Sequence, residues 1–219
     1  MSDNARNFWL ERWDVGQIGF HQSDVNSRLQ RFWPQTGVAP GGSVFVPLCG
    51  KTLDMHFLAA CGHRVIGVEF SEIAVRAFFE EADIAYERND EGSLPCFEGG
   101  AFRLYCGDFF ALNRSDIGDV AAVYDRASLI ALPPDTRPGY AQHLADLATS
   151  ASAMLVLTIL YDQNAVAGPP FSVPTDELRE LYAADWEVET LEVDETPTMP
   201  PKFEGLKASE IVHRLRPIG

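Results

Sequence analysis

Pro40-Gly41-Gly42-Ser43-Val44-Phe45-Val46-Pro47-Leu48-Cys49-Gly50-Lys51-Thr52 contains a turn signal, an apolar run of strand length and a second turn. A helical pattern follows, with Leu53, Phe57, Leu58 and Cys61 at i, i+4, i+5 and i+8, ended by Gly62. Arg64 to Phe70 is again strand-like, and Ser71 offers an N-cap to a helix carrying Ile73, Ala74, Ala77 and Phe78. Strand alternating with helix is the order of a mostly parallel sheet wrapped by helices.

The alternation continues toward the C-terminus. Gly99-Gly100 predicts a β-hairpin whose second arm, Phe102 to Cys106, is a third core strand. Val120 to Asp125 forms the fourth, followed by Pro133-Pro134 and a helix with Tyr140, Leu144 and Leu147. Met154 to Leu160 is apolar throughout, as suits a strand buried on both faces. After Gly168-Pro169-Pro170, Thr175 is expected to cap a short helix with Leu178, Leu181 and Tyr182. Trp186 to Val193 and Glu210 to Arg216 are strands without a helix between them, hence an antiparallel pair. The expectation is a single α/β domain over residues 1–219, a three-layer sandwich with about seven strands.

Composition narrows the function. The 219 residues include 32 acidic and 17 basic side chains, a net charge of −15 that repels nucleic acid and anionic lipid. The longest strongly apolar run, Ala153 to Tyr161, is far short of the ~20 residues needed to cross a bilayer. The N-terminus has no basic-then-apolar signal, and Cys49, Cys61, Cys96 and Cys106 form no CxxC pair, which points to a reducing, cytoplasmic setting. The five histidines form no HxxxH pair and none stands at zinc-finger spacing from a cysteine, so no metal is expected. Before the first strand, residues 1–40 hold Phe8, Trp9, Trp13, Phe20, Phe32 and Trp33. These aromatics read either as helices packed on the sheet or as a cover offering stacking faces to a planar ligand.

Ligands of open α/β sheets bind at the carboxyl ends of the strands, where strand order reverses. The turn there, Pro47 to Thr52, ends in Gly-Lys-Thr, yet a phosphate-binding loop needs a glycine where Phe45 stands. A diphosphate-binding GxGxxG is also absent, Gly50 being the turn's one glycine. Glu69 ends the second strand, the station of a carboxylate that accepts from ribose hydroxyls; the alternative is a solvated strand-end charge. Ribose recognition without a phosphate cradle suits S-adenosylmethionine. Gly107-Asp108, ending the third strand, either reads an adenine edge or simply closes the strand.

These residues resemble a known family, the thiopurine S-methyltransferases of the bacterial type. The resemblance is carried by Trp9-Leu10-Glu11-Arg12-Trp13 with Gly19-Phe20-His21-Gln22, Val46-Pro47-Leu48-Cys49-Gly50-Lys51, Gly62 to Glu69, Tyr124-Asp125-Arg126 and Gly168-Pro169-Pro170-Phe171. It implies a Rossmann-like class I methyltransferase fold and S-adenosyl-L-methionine as methyl donor. Trp13, Leu48, Glu69 and Arg126 then correspond to cofactor contacts, and Gly107 and Asp108 to the adenine-side turn, Asp108 through its backbone. Phe20 falls where the family packs an aromatic against the acceptor, His21 neighbours it, and Arg126 lies beside the acceptor. Lys202 aligns only loosely with an arginine of the acceptor wall in eukaryotic members. The implied reaction is methylation of a thiopurine-like thiol by a monomer, with selenium or tellurium compounds as further acceptors. Arg126 would position and stabilise a thiolate, no general base being assigned. A dinucleotide-dependent oxidoreductase and a non-catalytic adenosyl-ligand binder stand as the alternatives.

Overall fold

The computed structural model describes residues 3–198 and 201–218, with side chains from Arg6 onward. The expected boundaries at 1 and 219 lie outside them. One nine-stranded sheet organises the chain: β1 Ser43–Val46, β2 Arg64–Glu69, β3 Glu87–Asn89, β4 Cys96–Gly99, β5 Phe102–Cys106, β6 Ala122–Arg126, β7 Ala153–Tyr161, β8 Trp186–Asp194 and β9 Ala208–Pro217. Their spatial order is β3-β4-β5-β2-β1-β6-β7-β9-β8. The five strands β5, β2, β1, β6 and β7 run parallel, and β9 is antiparallel to both β7 and β8. The sheet is thus α/β with the expected antiparallel end, the chain threading β9 between two earlier strands.

The two strands beyond seven lie at the opposite edge. β4 is the first arm of the expected hairpin, paired through Gly99 and Phe102. β3 reads Glu-Arg-Asn and is exposed throughout, so no apolar pattern announces it; pairing with β4 creates it. An exposed, charged, three-residue edge strand is also a poor template for aggregation.

Among the described residues seven α-helices accompany the sheet: α1 Asp3–Asp14, α2 Ser27–Phe32, α3 Asp54–Ala60, α4 Glu72–Glu80, α5 Arg114–Ile117, α6 Arg137–Leu147 and α7 Thr175–Tyr182. Ser71 caps α4, its hydroxyl accepting from the Ala74 amide. Thr175 does not cap α7. The N-cap is Pro174, which bears no side-chain acceptor, and Thr175 is already helical; Asp176 and Glu177 in the first turn complement the helix dipole instead.

Period-two alternation divides the strands between two cores. Phe45 and Val123 face one layer with Tyr140 and Leu144 of α6, while Val44, Val46, Ala122 and Tyr124 face the other with Met55 and Leu58 of α3. β7 is buried along its length except at Leu160. No helix among the described residues is long and apolar enough to cross a membrane.

The aromatic N-terminal segment splits. Phe32 and Trp33 are buried in the second core, and the Trp33 indole Nε1–H donates to His63 Nε2 at 3.1 Å. α2 is capped by the Asn26 side chain and strapped to β8 and β9 through Arg28, which reaches Glu192, Asp194 and Glu210. Trp9, Trp13 and Phe20 instead meet edge to face, Phe20 at 5.3 Å from Trp9 and 5.4 Å from Trp13.

Candidate active site

Strand order reverses between the parallel neighbours β1 and β6: from β1 the chain steps through β2 to β5 toward one edge, and from β6 to β7 toward the other. The cavity at the carboxyl ends of β1, β2 and β6 brings together Trp13, Phe20, His21, Leu48, Glu69 and Arg126 of the expected residues. Trp9, Gln22, Lys51, Asp54 and Tyr124 line it as well.

Its floor is the turn after β1. Leu48 has φ 45° and Gly50 φ 53°, so two left-handed residues within three positions fold the chain back sharply. For leucine that conformation carries a backbone cost, held here by the neighbouring structure. At Gly50 glycine answers a second need: a Cβ would stand 3.3 Å from Cζ2 of Trp13, so the indole lies directly over the turn. Cys49, buried beneath, keeps its proton because burial pushes its thiol pKa well up.

Glu69 accepts from the Gly50 amide through Oε2 and from the Ser71 amide through Oε1, both at 2.9 Å. Burial pushes its pKa up, and these amide bonds pull it back. A carboxylate has about four lone-pair sites, so each oxygen retains acceptor capacity toward the cavity. The solvated strand-end reading does not hold, since Glu69 is 7% exposed.

The second wall comes from β6, where alternation points neighbours in opposite directions. Tyr124 and Arg126 face the cavity. Asp125 faces the α6 layer, accepting from Tyr140 Oη at 2.7 Å and the Leu129 amide at 3.2 Å, with its pKa raised by burial to about 6. Ala127 follows with φ 63°, and the Ser128 hydroxyl donates to the Pro47 carbonyl at 2.6 Å. That bond ties the β6 turn to the β1 turn and fixes one wall relative to the other.

Asp54 is the residue that sequence reasoning missed. It is 1% exposed and joins three elements: Oδ1 accepts from the Asn26 amide at 2.7 Å, Oδ2 from Tyr124 Oη at 2.9 Å and from Arg126 Nη1 at 3.4 Å. In sequence it is an acid in the first turn of a helix, indistinguishable from ordinary dipole complementation. Lys51, also on the rim, pairs with Glu81 at 2.5 Å. The resulting site has apolar and aromatic walls with a few charged groups whose orientations are fixed by their partners.

Gly107 and Asp108 stand one strand further out and do not line this cavity. The Gly107 amide donates to the Glu69 carbonyl at 2.9 Å, so the turn abuts the end of β2, and the Asp108 carboxylate accepts from the Phe110 amide at 3.0 Å. At Gly107 a Cβ would meet Leu94 Cδ2 at 2.5 Å, so a side chain there would have to displace the Leu94 side chain. Lys202 is also outside the lining; its ammonium donates to the carbonyls of Ala167 at 3.3 Å and Pro169 at 2.5 Å.

Comparison with known proteins adds to this geometry. The family model described as thiopurine S-methyltransferase matches residues 4–216. A thiopurine S-methyltransferase of Pseudomonas putida is 48% identical over 208 residues, covering 95% of this chain and 96% of that protein. Among solved structures, an S-adenosylmethionine-dependent methyltransferase from Anabaena variabilis superposes with a TM-score of 0.68 at 15% identity, covering 99% of this chain and 96% of that one. A Burkholderia thailandensis 1,6-didemethyltoxoflavin N1-methyltransferase, solved with bound 1,6-didemethyltoxoflavin and S-adenosylhomocysteine, superposes with a TM-score of 0.64 at 17% identity, covering 98% of this chain and 87% of that one.

Proposed function

The chain belongs to the thiopurine S-methyltransferase family and is an S-adenosyl-L-methionine-dependent methyltransferase, and on that premise we propose that it methylates the sulfur of an aromatic or heterocyclic thiol such as a thiopurine. Small selenium and tellurium compounds, whose reduced forms are soft nucleophiles like thiolates, are proposed as further acceptors.

The observation that carries the reading is Glu69. A buried carboxylate faces the cavity with acceptor capacity left on both oxygens, above a turn that has no glycine cradle for phosphate. The residues present therefore fit an adenosyl cofactor without a diphosphate. Glu69 would hold the ribose hydroxyls and Leu48 and Trp13 would flank the ligand. Gly107 and Asp108, one strand beyond the cavity, would offer their backbone to an adenine reaching past Glu69. When bound, the cofactor supplies a methyl group made electrophilic by a sulfonium.

The protein's part is alignment. Phe20 and Trp9 offer aromatic faces to a planar acceptor, and His21 and Arg126 place polar edges beside it. Arg126 is held by Asp54, which limits the rotamers of a long side chain and presents its planar donors toward a developing thiolate. Aromatic thiols ionise more readily than alkyl thiols and thiolates are intrinsically strong nucleophiles. Orientation, worth up to about 7–11 kcal/mol in favourable systems, can then supply most of the catalysis. Residues 1–40 are proposed to cover the site through Trp9, Trp13 and Phe20, within a single domain that acts as a cytoplasmic monomer. The charge of −15 and the four free cysteines support that setting, with no nucleic acid or membrane partner.

The test is S-adenosylhomocysteine formation over a panel of aromatic thiol and alkyl thiol acceptors, with selenite and tellurite supplied after reduction by borohydride to selenide and telluride. Turnover with aromatic thiols is expected; cofactor binding without turnover of any acceptor would overturn the reading in favour of a non-catalytic binder. Arg126→Lys keeps the charge but loses the planar donor fork, so kcat is expected to fall about tenfold or more with little change in melting temperature. Equal turnover at saturating cofactor would remove Arg126 from the reaction.

A further inference from the structure

The acceptor reading leaves one proton without a destination. An aromatic thiol that arrives ionised brings none, but a less acidic thiol must lose one before or during attack. Arg126 and Lys51 are cations already paired with Asp54 and Glu81. Cys49 and Tyr124 hold their own protons, their pKa values pushed well up, and the Tyr124 hydroxyl is donated to Asp54. Asp54 is surrounded by three donors beneath the cavity. Glu69 is bonded to two amides on the cofactor side.

His21 differs from all of these. Its backbone amide closes a turn on the Ile18 carbonyl at 2.8 Å, next to Phe20, and its imidazole lines the cavity without a hydrogen bond among the described residues. Resting on the thiol reading above, we propose that His21 is the proton acceptor for thiols that enter the site un-ionised. The S–H bond breaks with its electron pair left on sulfur, the proton forms an N–H bond on the imidazole, and the resulting imidazolium passes it to water. The half-buried position of His21 leaves that exit open.

The surroundings agree with this role. Burial and the nearby Lys51 and Arg126 cations lower the imidazole pKa, while Glu81 and Asp54 oppose them. The ring is therefore neutral at neutral pH, with a free lone pair. A base weakened in this way is unprotonated when the thiol arrives and sheds its proton readily after methyl transfer has consumed the thiolate.

The experiment compares a benzylic thiol, protonated at neutral pH, with nitrothiophenol, ionised there, in wild type and His21→Gln. For the benzylic thiol, wild-type kcat/KM is expected to be flat from about pH 7 to 9, the base being free and the thiol protonated throughout. His21→Gln should replace that plateau with a rise of about tenfold per pH unit, following thiolate concentration. At pH 7 the variant should lose about tenfold or more with the benzylic thiol but less than about threefold with nitrothiophenol. A second readout needs no turnover: in protein saturated with S-adenosylhomocysteine, the thiolate absorbance of bound thiophenol should appear about one pH unit lower in wild type than in the variant. A wild-type profile that rises throughout, equal losses on both acceptors, or superimposable absorbance titrations would each overturn the proposal. Failure of wild type to methylate either thiol would instead overturn the acceptor reading on which it rests.

Discussion

The segment ending in Phe20 and the segment around α2 lie next to each other in sequence and both carry aromatic residues, yet the fold uses them differently. Around α2, Leu29, Phe32 and Trp33 are buried, Asn26 caps the helix, and Arg28 bonds three carboxylates of the C-terminal strands. In the first segment Trp13 is buried too, but Trp9, Trp13 and Phe20 meet one another and line the cavity, and Phe20 is 37% exposed. An aromatic ring is useful to the core or to a ligand for the same reason, a large apolar face at low entropy cost. What separates the two uses is whether polar anchors fix the surrounding backbone to the sheet. Both expectations for residues 1–40 therefore describe part of it: packing accounts for Phe32 and Trp33, and the proposed cover concerns Trp9, Trp13 and Phe20.

The contrast is most easily broken by removing one ring from each side. Trp33→Ala opens a cavity in the core and strands the His63 acceptor, so unfolding free energy in urea is expected to drop by about 3–5 kcal/mol. Cofactor affinity of the folded variant should be unchanged. A loss below about 1 kcal/mol would mean that α2 is no better anchored than the first segment.

Histidines sharpen the same contrast through pH. His213 is buried between Thr158 and Thr190, and burial, aided by Arg179, pushes its pKa down from 6.5 to about 4. The unfolded chain takes up this proton near pH 6.5 and the folded chain only near 4. Its contribution is therefore complete above pH 6.5 and drains as pH falls toward 4, by up to about 3 kcal/mol. The stability of wild type relative to His213→Gln should shrink over that interval in urea titrations. His21, with no side-chain bond to lose, should leave stability unmoved at neutral pH when replaced by Gln. Its lowered pKa should cost wild type only a small part of its stability relative to the variant as pH falls below 6.5.

Smaller effects are expected where the ligand, not the fold, is the partner. Glu69→Ala should raise the Kd for S-adenosylmethionine about tenfold or more, the loss of about 1.5–3 kcal/mol expected for bonds to a charged group. An unchanged Kd by calorimetry would remove Glu69 from the site. Phe20→Ala should raise the acceptor KM several-fold, by about 1 kcal/mol, and shift stability by less than that. A large stability loss with unchanged KM would place Phe20 with Trp33 as a packing residue.

Much of the sheet was legible because each buried strand is an apolar run bounded by turn residues. β3 was not, since its three exposed polar residues become a strand only by pairing with β4. Thr175 looked like a cap because its residue type favours that role; Pro174 before it already supplied the extended geometry of the position. Within the site, Glu69 could be located from the end of its strand, and Leu48 and Arg126 through the family resemblance. Asp54 could not, because its function comes from Asn26, Tyr124 and Arg126, which stand 28, 70 and 72 positions away.

Residue order alone specified the alternating strands and helices, the phosphate-free first turn and the carboxylate nineteen positions beyond Gly50, because these are local patterns of polarity and turn chemistry. Packing assigned the rest: which aromatics enter the core, how β9 slips beside β7, and how Asp54 clasps Arg126. Such outcomes depend on contacts between distant segments, and the free energy of a distant contact leaves no mark on the residues that flank either partner.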